Sequence, residues 1–127
     1  MVELQKLGDD TNQALYLAPL TNNTQQIRLH FDVNNARFRD ARNGYATIGG
    51  AINIKTSINK MALSIDTTSG IAKVYANGSQ LGSDYTLQSN PFEFSRIVAE
   101  GKGFILKQSL FFPTALSDDE LATRTTL

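Results

Sequence analysis

A hydrolytic or metal site in this chain would have to be assembled from one histidine, His30, and twelve Asp and Glu residues. Glycoside hydrolysis commonly needs two carboxylates about 5 Å or about 6.5–9.5 Å apart, and acids two residues apart on a strand share a face and could begin such a pair. The acids do not fall that way. Asp118, Asp119 and Glu120 follow Ser117 in a helix-capping arrangement, Asp9-Asp10 sits in a loop-like stretch, Glu93 and Glu100 stand alone, and no E-x-D-x-E run occurs. The chain is therefore read as non-enzymatic. A single His gives little to a His-based metal site or nucleophile relay, so His30 reads as an ordinary polar-face residue. Calcium accepts carboxylate and amide oxygens in loose geometry, which brings Asp32, Asn34, Asn35 and Asp40 into consideration. No fixed spacing links them, and they read as solvated turn residues, with no cofactor assigned. Gly101-Lys102-Gly103 lacks the rest of a phosphate loop and its following helix, and reads as a hairpin turn.

Carbohydrate recognition asks for something different: aromatic faces against apolar sugar surfaces, with amides or carboxylates against hydroxyls. Tyr45, Tyr75 and Tyr85 answer the first requirement, and Asn77, at a turn tip, answers the second. There is no Trp. Each candidate also has a structural reading, half-buried packing for a Tyr beside a strand and plain turn chemistry for Asn77.

The elements that must position these residues are nearly all strands. In "QIRLHFDV", residues 26 to 33, Ile27, Leu29, Phe31 and Val33 alternate with Arg28, His30 and Asp32, the period-two pattern of a half-buried strand. Asn34-Asn35 reads as a tight turn returning into "ARFRDA". Asn43-Gly44 punctuates again, and "YATIGGAINIK" is β-prone with a bulge or bend expected at Gly49-Gly50. "KMALSID", "TTSG" and "IAKVYA" then lead to Asn77-Gly78. A two-residue type I′ turn needs positive φ at both central positions, which Asn and Gly adopt most cheaply, so a hairpin tip is expected there. "DYTLQ", "FEFSRIVA" and "FILKQSLFF" continue the pattern. The one helix is expected from Asp118 for about two turns, with Ser117 and Glu120 forming a capping box and Leu116 and Leu121 at the staple positions. Eight or nine short strands with turns between them predict an all-β, two-sheet antiparallel jelly-roll sandwich with one short C-terminal helix.

Totals set outer bounds. The 127 residues suit one domain spanning 1–127, with 41% hydrophobic residues and ten Asn marking a turn-rich chain. Twelve basic and twelve acidic side chains cancel, which removes the broad attraction that nucleic-acid binders exert on phosphates. No cysteine is present, so disulfides and thiolate ligands are excluded. The opening "MVELQKLGDD" carries charge where a signal peptide needs an apolar core, and no run approaches about 18 apolar residues. A product without an export signal and without membrane insertion is expected, although a piece of a longer protein would look the same.

Together, "KMALSIDTTSGIAKVYANGSQLG" and "FILKQSLFFPTALSDDELATRTTL" resemble the second half of the concanavalin A-like, laminin G-type jelly-roll family, whose members read "vYvNG" after a short turn and close on "aLSdaEi". The ending "LFFPTALSDDELATRTT" resembles carboxy-terminal modules of bacteriophage tail and fibre proteins. The resemblance implies a lectin-like virion domain that binds a host cell-surface glycan. Its alternative is a structural or oligomerisation module, a homotrimer among the options, that contacts other virion subunits without sugar. Family modules are usually longer, and their front strands are reduced here to "VELQKLG" and "QALYLAP". That predicts a shortened or partial domain with an uncovered sheet edge open to a neighbouring strand. No glycan or calcium residue of the family is carried over.

Overall fold

A computed structural model describes residues 1–6, 12–18, 26–31, 35–53, 58–87, 96–99, 104–110 and 112–127. Its strands, in chain order, are β1 (Val2–Lys6), β2 (Asn12–Ala18), β3 (Ile27–Phe31), β4 (Asn35–Asp40), β5 (Ala46–Asn53), β6 (Ile58–Asp66), β7 (Ile71–Ala76), β8 (Ser79–Gln80), β9 (Tyr85–Thr86), β10 (Arg96–Ala99) and β11 (Phe104–Ser109). One helix, α1 (Asp118–Thr125), closes the chain. All strand pairs are antiparallel and form two sheets, one in the order β11-β1-β6-β7-β8 with β9 also on β7, the other in the order β10-β2-β3-β4-β5. The expected all-β character and terminal helix are both present. The strand count exceeds the expected eight or nine partly because β8 and β9 are two-residue pieces.

Alternation explains where the core lies. Ile27, Leu29 and Phe31 of β3 turn to one side with Ala36 and Phe38 of β4 and Ile48 of β5. They meet Met61 of β6, Ala72, Val74 and Ala76 of β7, and Leu87, so the two sheets share one apolar cluster. Fully burying a side chain of this size stabilises by about 1.5–3 kcal/mol, which makes this cluster the largest favourable contribution.

β1 pairs with both β11 and β6, and β2 with both β10 and β3. The front segments expected to leave an edge uncovered are therefore interior strands, and among the described residues the edges fall on β11, β10, β5 and the β8–β9 side. Edge strand β5 is bulged: Ala36 pairs with Ile52 but Phe38 with Ile48, so the extra residues fall at Gly49-Gly50-Ala51. The glycines there permit a close approach of two backbones. A Cβ on Gly49 would collide with the Leu81 carbonyl, and one on Gly82 would lie 2.5 Å from the Gly49 carbonyl carbon.

The β6–β7–β8 meander turns as its sequence requires. Asn77 and Gly78 have φ of 49° and 89°, the paired positive angles of a type I′ turn. The tip is fastened to α1, because the Gly78 N–H donates to Thr125 Oγ at 3.1 Å while that hydroxyl donates to the Leu121 carbonyl at 2.8 Å. The capping box forms in full: Glu120 N–H donates to Ser117 Oγ at 3.3 Å, and Ser117 N–H donates to the Glu120 carboxylate at 2.9 Å. Leu121 is buried with Ala62 and Tyr75, and Leu116 packs against that cluster. The helix thus covers the outward side of β6 and β7. Among the described residues no helix is long and apolar enough to cross a membrane. The Gly101-Lys102-Gly103 turn and Asp9-Asp10 lie outside the described residues, as do Glu93 and Glu100.

Two substitutions separate capping from backbone approach. Ser117→Ala removes one cap and is expected to cost about 1 kcal/mol. Gly82→Ala must both hold φ at +74° and displace the backbone at Gly49, so its expected cost is larger, about 2–3 kcal/mol. Urea unfolding of the two variants beside the parent chain checks the order.

Candidate binding face

The sequence candidates separate into two places. Tyr75 is 5% exposed beneath α1, and Asn77 spends its amide inside the fold, accepting the Lys60 N–H at 3.0 Å and donating to Asn59 Oδ1 at 3.1 Å. Both serve the hairpin and the helix seat. Tyr45 lies at the other sheet, in the turn between β4 and β5, and Tyr85, on β9 of the first sheet, is tied to that turn through Asn43.

That turn is built from Asp40 outward. Its carboxylate is fully buried at the end of β4 and caps a 3-10 turn over Ala41–Asn43, accepting the Arg42 N–H at 3.0 Å and two guanidinium bonds from Arg42 at 2.9 Å. A buried carboxylate so engaged is a structural group. Asn43 then reaches across to the first sheet, donating from Nδ2 to the Tyr85 hydroxyl at 2.9 Å. Gly44 and Tyr45 follow with φ of 56° and 62°. A left-handed conformation is ordinary for Gly but strained for a bulky Tyr. Tyr45 is 46% exposed, with the Arg28 guanidinium 4.9 Å from its ring centre. Arg28 is itself oriented by donating from Nε to Gln26 Oε1 at 2.6 Å, and the Gln26 carbonyl accepts the Ala41 N–H at 2.9 Å.

Beside Tyr45 lies an arrangement that sequence reasoning missed. Register places Arg28 directly opposite Arg39 and His30 directly opposite Arg37. These residues alternate with the buried Ile27, Leu29, Phe31, Ala36 and Phe38, and so occupy the outward side of β3 and β4. Like charges directly opposed across strands are destabilising. The only carboxylate in β3, β4 or β5 is Asp40, which faces inward and is engaged by Arg42. The expected turn at Asn34-Asn35 hid this, since a two-residue loop there would have paired residue 32 with residue 37 and set Asp32 against Arg37. Asn35 instead belongs to β4 and Phe31 pairs with Ala36, which slides the strands until bases meet bases. The alternation of Arg37 and Arg39 in "ARFRDA" was the available signal.

Of the calcium candidates, Asp32 and Asn34 lie outside the described residues. Asn35 and Asp40 stand at opposite ends of β4, about 17 Å apart for five residues of extended chain. Among the described residues no three His, Asp or Glu side chains gather as metal ligands would. No protein family matches the sequence, and no curated protein matches it either.

Burial, then the positive charges of Arg39, Arg37 and Arg28, hold the His30 pKa below its ordinary 6.5. The unfolded chain therefore binds a proton more readily than the folded one, and stability is full above pH 6.5 and declines as pH falls from there toward the lowered folded value. His30→Gln is expected to flatten that part of the stability profile, leaving only the carboxylate titrations at lower pH, which denaturant midpoints measured at half-unit pH steps would reveal.

Proposed function

We propose that this chain is a non-enzymatic carbohydrate-binding module of the concanavalin A-like, laminin G-like jelly-roll type, carried on the virion in a bacteriophage tail or fibre protein, and that Tyr45 is its principal sugar contact. Topology supports the fold. The β1–β2 pair and the β10–β11 pair each contribute one strand to each sheet, β1 beside β11 and β2 beside β10, which is how a jelly roll carries paired strands from one layer to the other. The closing "ALSDDELATRTT" segment, with its completed capping box, supports the virion reading through its resemblance to tail and fibre endings.

The observation that carries the site is the exposed ring of Tyr45, held at positive φ with Arg28 over it. A strained, outward-facing aromatic supplies the apolar surface that pyranose C–H faces stack on, and Arg28 brings donors for hydroxyls within the same patch. Asn43 and Tyr85 anchor the turn that presents it. Tyr75 and Asn77 are left to the fold in this reading.

Tyr45→Gly tests it, because Gly accepts the left-handed angle without strain. The variant is expected to keep its stability within about 1 kcal/mol, since relief of strain offsets the lost Arg28 contact. Its binding on an array of bacterial surface glycans is expected to fall at least tenfold. An array on which the parent chain binds no saccharide, together with a stable oligomer by light scattering, would favour the structural alternative instead.

A further inference from the structure

The chain contains two Asn-Gly pairs, Asn43-Gly44 and Asn77-Gly78. In this dipeptide an asparagine side-chain amide is most open to attack by the following backbone nitrogen, because glycine puts no side chain in the way. Ring closure brings that nitrogen onto the Asn Cγ. Neither the 3-10 turn that ends at Asn43 nor the left-handed backbone of Asn77 holds this geometry, so at both pairs the reaction proceeds from a locally opened chain and the cost of opening sets its rate. The two turns differ in that cost. At Asn77-Gly78 both reacting groups are held: Asn77 Nδ2 donates to Asn59 Oδ1 at 3.1 Å, its Oδ1 accepts the Lys60 N–H at 3.0 Å, and the Gly78 N–H donates to Thr125 Oγ at 3.1 Å. Opening there lifts the hairpin tip off both β6 and α1. At Asn43-Gly44 the side-chain amide donates to the Tyr85 hydroxyl, but Gly44 is exposed, and nothing lies within 4 Å of a Cβ built on it. Opening from residue 43 onward leaves the Asp40–Arg42 pair intact, and it frees Tyr45 from its φ of 62°, a strained angle for that side chain.

We infer that Asn43 is a site of spontaneous deamidation and isomerisation, which the fold leaves reactive while it protects Asn77. The Gly44 nitrogen gives its proton to solvent base and bonds to Asn43 Cγ, the Cγ–Nδ2 bond breaks, and the amide nitrogen leaves as ammonia. Water then opens the five-membered imide at either carbonyl, giving aspartate or isoaspartate. Water is the one co-reactant, and no oxidation or reduction occurs. Isoaspartate routes the main chain through Cβ, which adds a methylene directly before Gly44-Tyr45 and exchanges the Nδ2 donor to Tyr85 for a carboxylate. The turn that presents Tyr45 is thereby lengthened and loses the tether that ties it to the first sheet. On the carbohydrate-binding reading, on which this consequence rests, the Tyr45 ring moves off Arg28 and the sugar site ages with this one bond.

The experiment incubates the folded parent chain at mildly alkaline pH and follows each Asn-Gly pair over weeks by peptide mapping, with isoaspartyl methyltransferase labelling to mark the rearranged product. The same chain in urea supplies the unfolded rates. In the folded chain Asn43 is expected to react at least tenfold faster than Asn77, whereas in urea the two rates are expected to lie within about threefold, since only the fold separates them. Thr125→Val removes the acceptor of the Gly78 N–H and is expected to raise the Asn77 rate at least threefold while leaving the Asn43 rate as in the parent. Equal or faster reaction at Asn77 in the folded parent overturns the inference, as does an Asn43 that reacts in urea but not in the folded chain. The isoaspartyl form, separated by ion exchange, is expected to bind at least tenfold more weakly than the parent to the glycans that the parent binds on the array. Full binding by that form overturns the consequence for Tyr45. A parent chain that binds no saccharide overturns the carbohydrate reading alone, because the two Asn-Gly rates are measured without any ligand.

Discussion

Register between β3 and β4 is the constraint on which the rest of this molecule depends. Side chains alternate strictly along a strand, so whatever pairing buries Ile27, Leu29 and Phe31 with Ala36 and Phe38 also decides what stands on the other side. A one-residue slip would turn the apolar set to solvent. At about 1.5–3 kcal/mol for each large side chain, the buried side outweighs like-charge oppositions worth about 0.2–1 kcal/mol each. The core can therefore impose Arg28 on Arg39, and the fold survives the repulsion. The outward basic face of β3 and β4 is in this sense a by-product of core register, held as firmly as the core itself.

The second sheet resolves its outward side differently. Ala62 and Tyr75 are opposed in register on β6 and β7, and α1 lies on them through Leu121, with Leu116 and Met1 packed against the cluster. Polar groups near this seat are matched: Thr125 links the hairpin tip to the helix, Lys60 Nζ donates to the Thr126 carbonyl at 2.9 Å, and Lys73 reaches both Asp118 oxygens at 2.9–3.0 Å. The exposed Lys73–Asp118 pair adds little stability on its own. Its position shows instead that the acid-rich first turn of α1 meets a base on the sheet it covers. The described polar groups around the helix seat are thus matched, while β3 and β4 set bases opposite bases in register.

Local features were legible in the sequence, and distant ones were not. Asn77-Gly78, the Ser117–Glu120 box, the Gly49-Gly50 bulge and the alternation of β3 are each written in a few adjacent residues, since φ preference, capping chemistry and side-chain period act over that range. The fate of Tyr75 depended on a helix more than forty residues later, whose existence could be read but whose docking place could not. Asn77 looked available because turn chemistry predicts its backbone, whereas its amide is used by Lys60 and Asn59 on the facing strand. The Asn43–Tyr85 bond spans two sheets and has no short-range signature. Most consequential was the β3–β4 connection, where Asn34-Asn35 offered a plausible tight turn and the true pairing, with Asn35 already in β4, lay two residues away from it.

Where a chain departs from local consistency is informative, because sequences that fold to one state agree with themselves at most levels and break the rule where something else is selected. Here the agreements are many: a full capping box, a type I′ turn on Asn-Gly, an Asp66 carboxylate accepting Thr68 and Ser69 N–H groups at 2.8 and 3.3 Å, and a buried Asp40 fully engaged. The departures are a Tyr at φ of 62°, two cross-strand pairs of basic residues and, among the described residues, an Arg39 Nε buried without an acceptor. They do not scatter. Arg28 stands over Tyr45 and opposite Arg39, so two of the three departures meet at a single side chain and the third follows on its strand neighbour. A fold indifferent to that surface could relieve each one by a single substitution, Gly for Tyr45 or an acid for any of the arginines. That none is relieved is the physical reason the proposed saccharide site is placed at Tyr45 rather than at the helix seat.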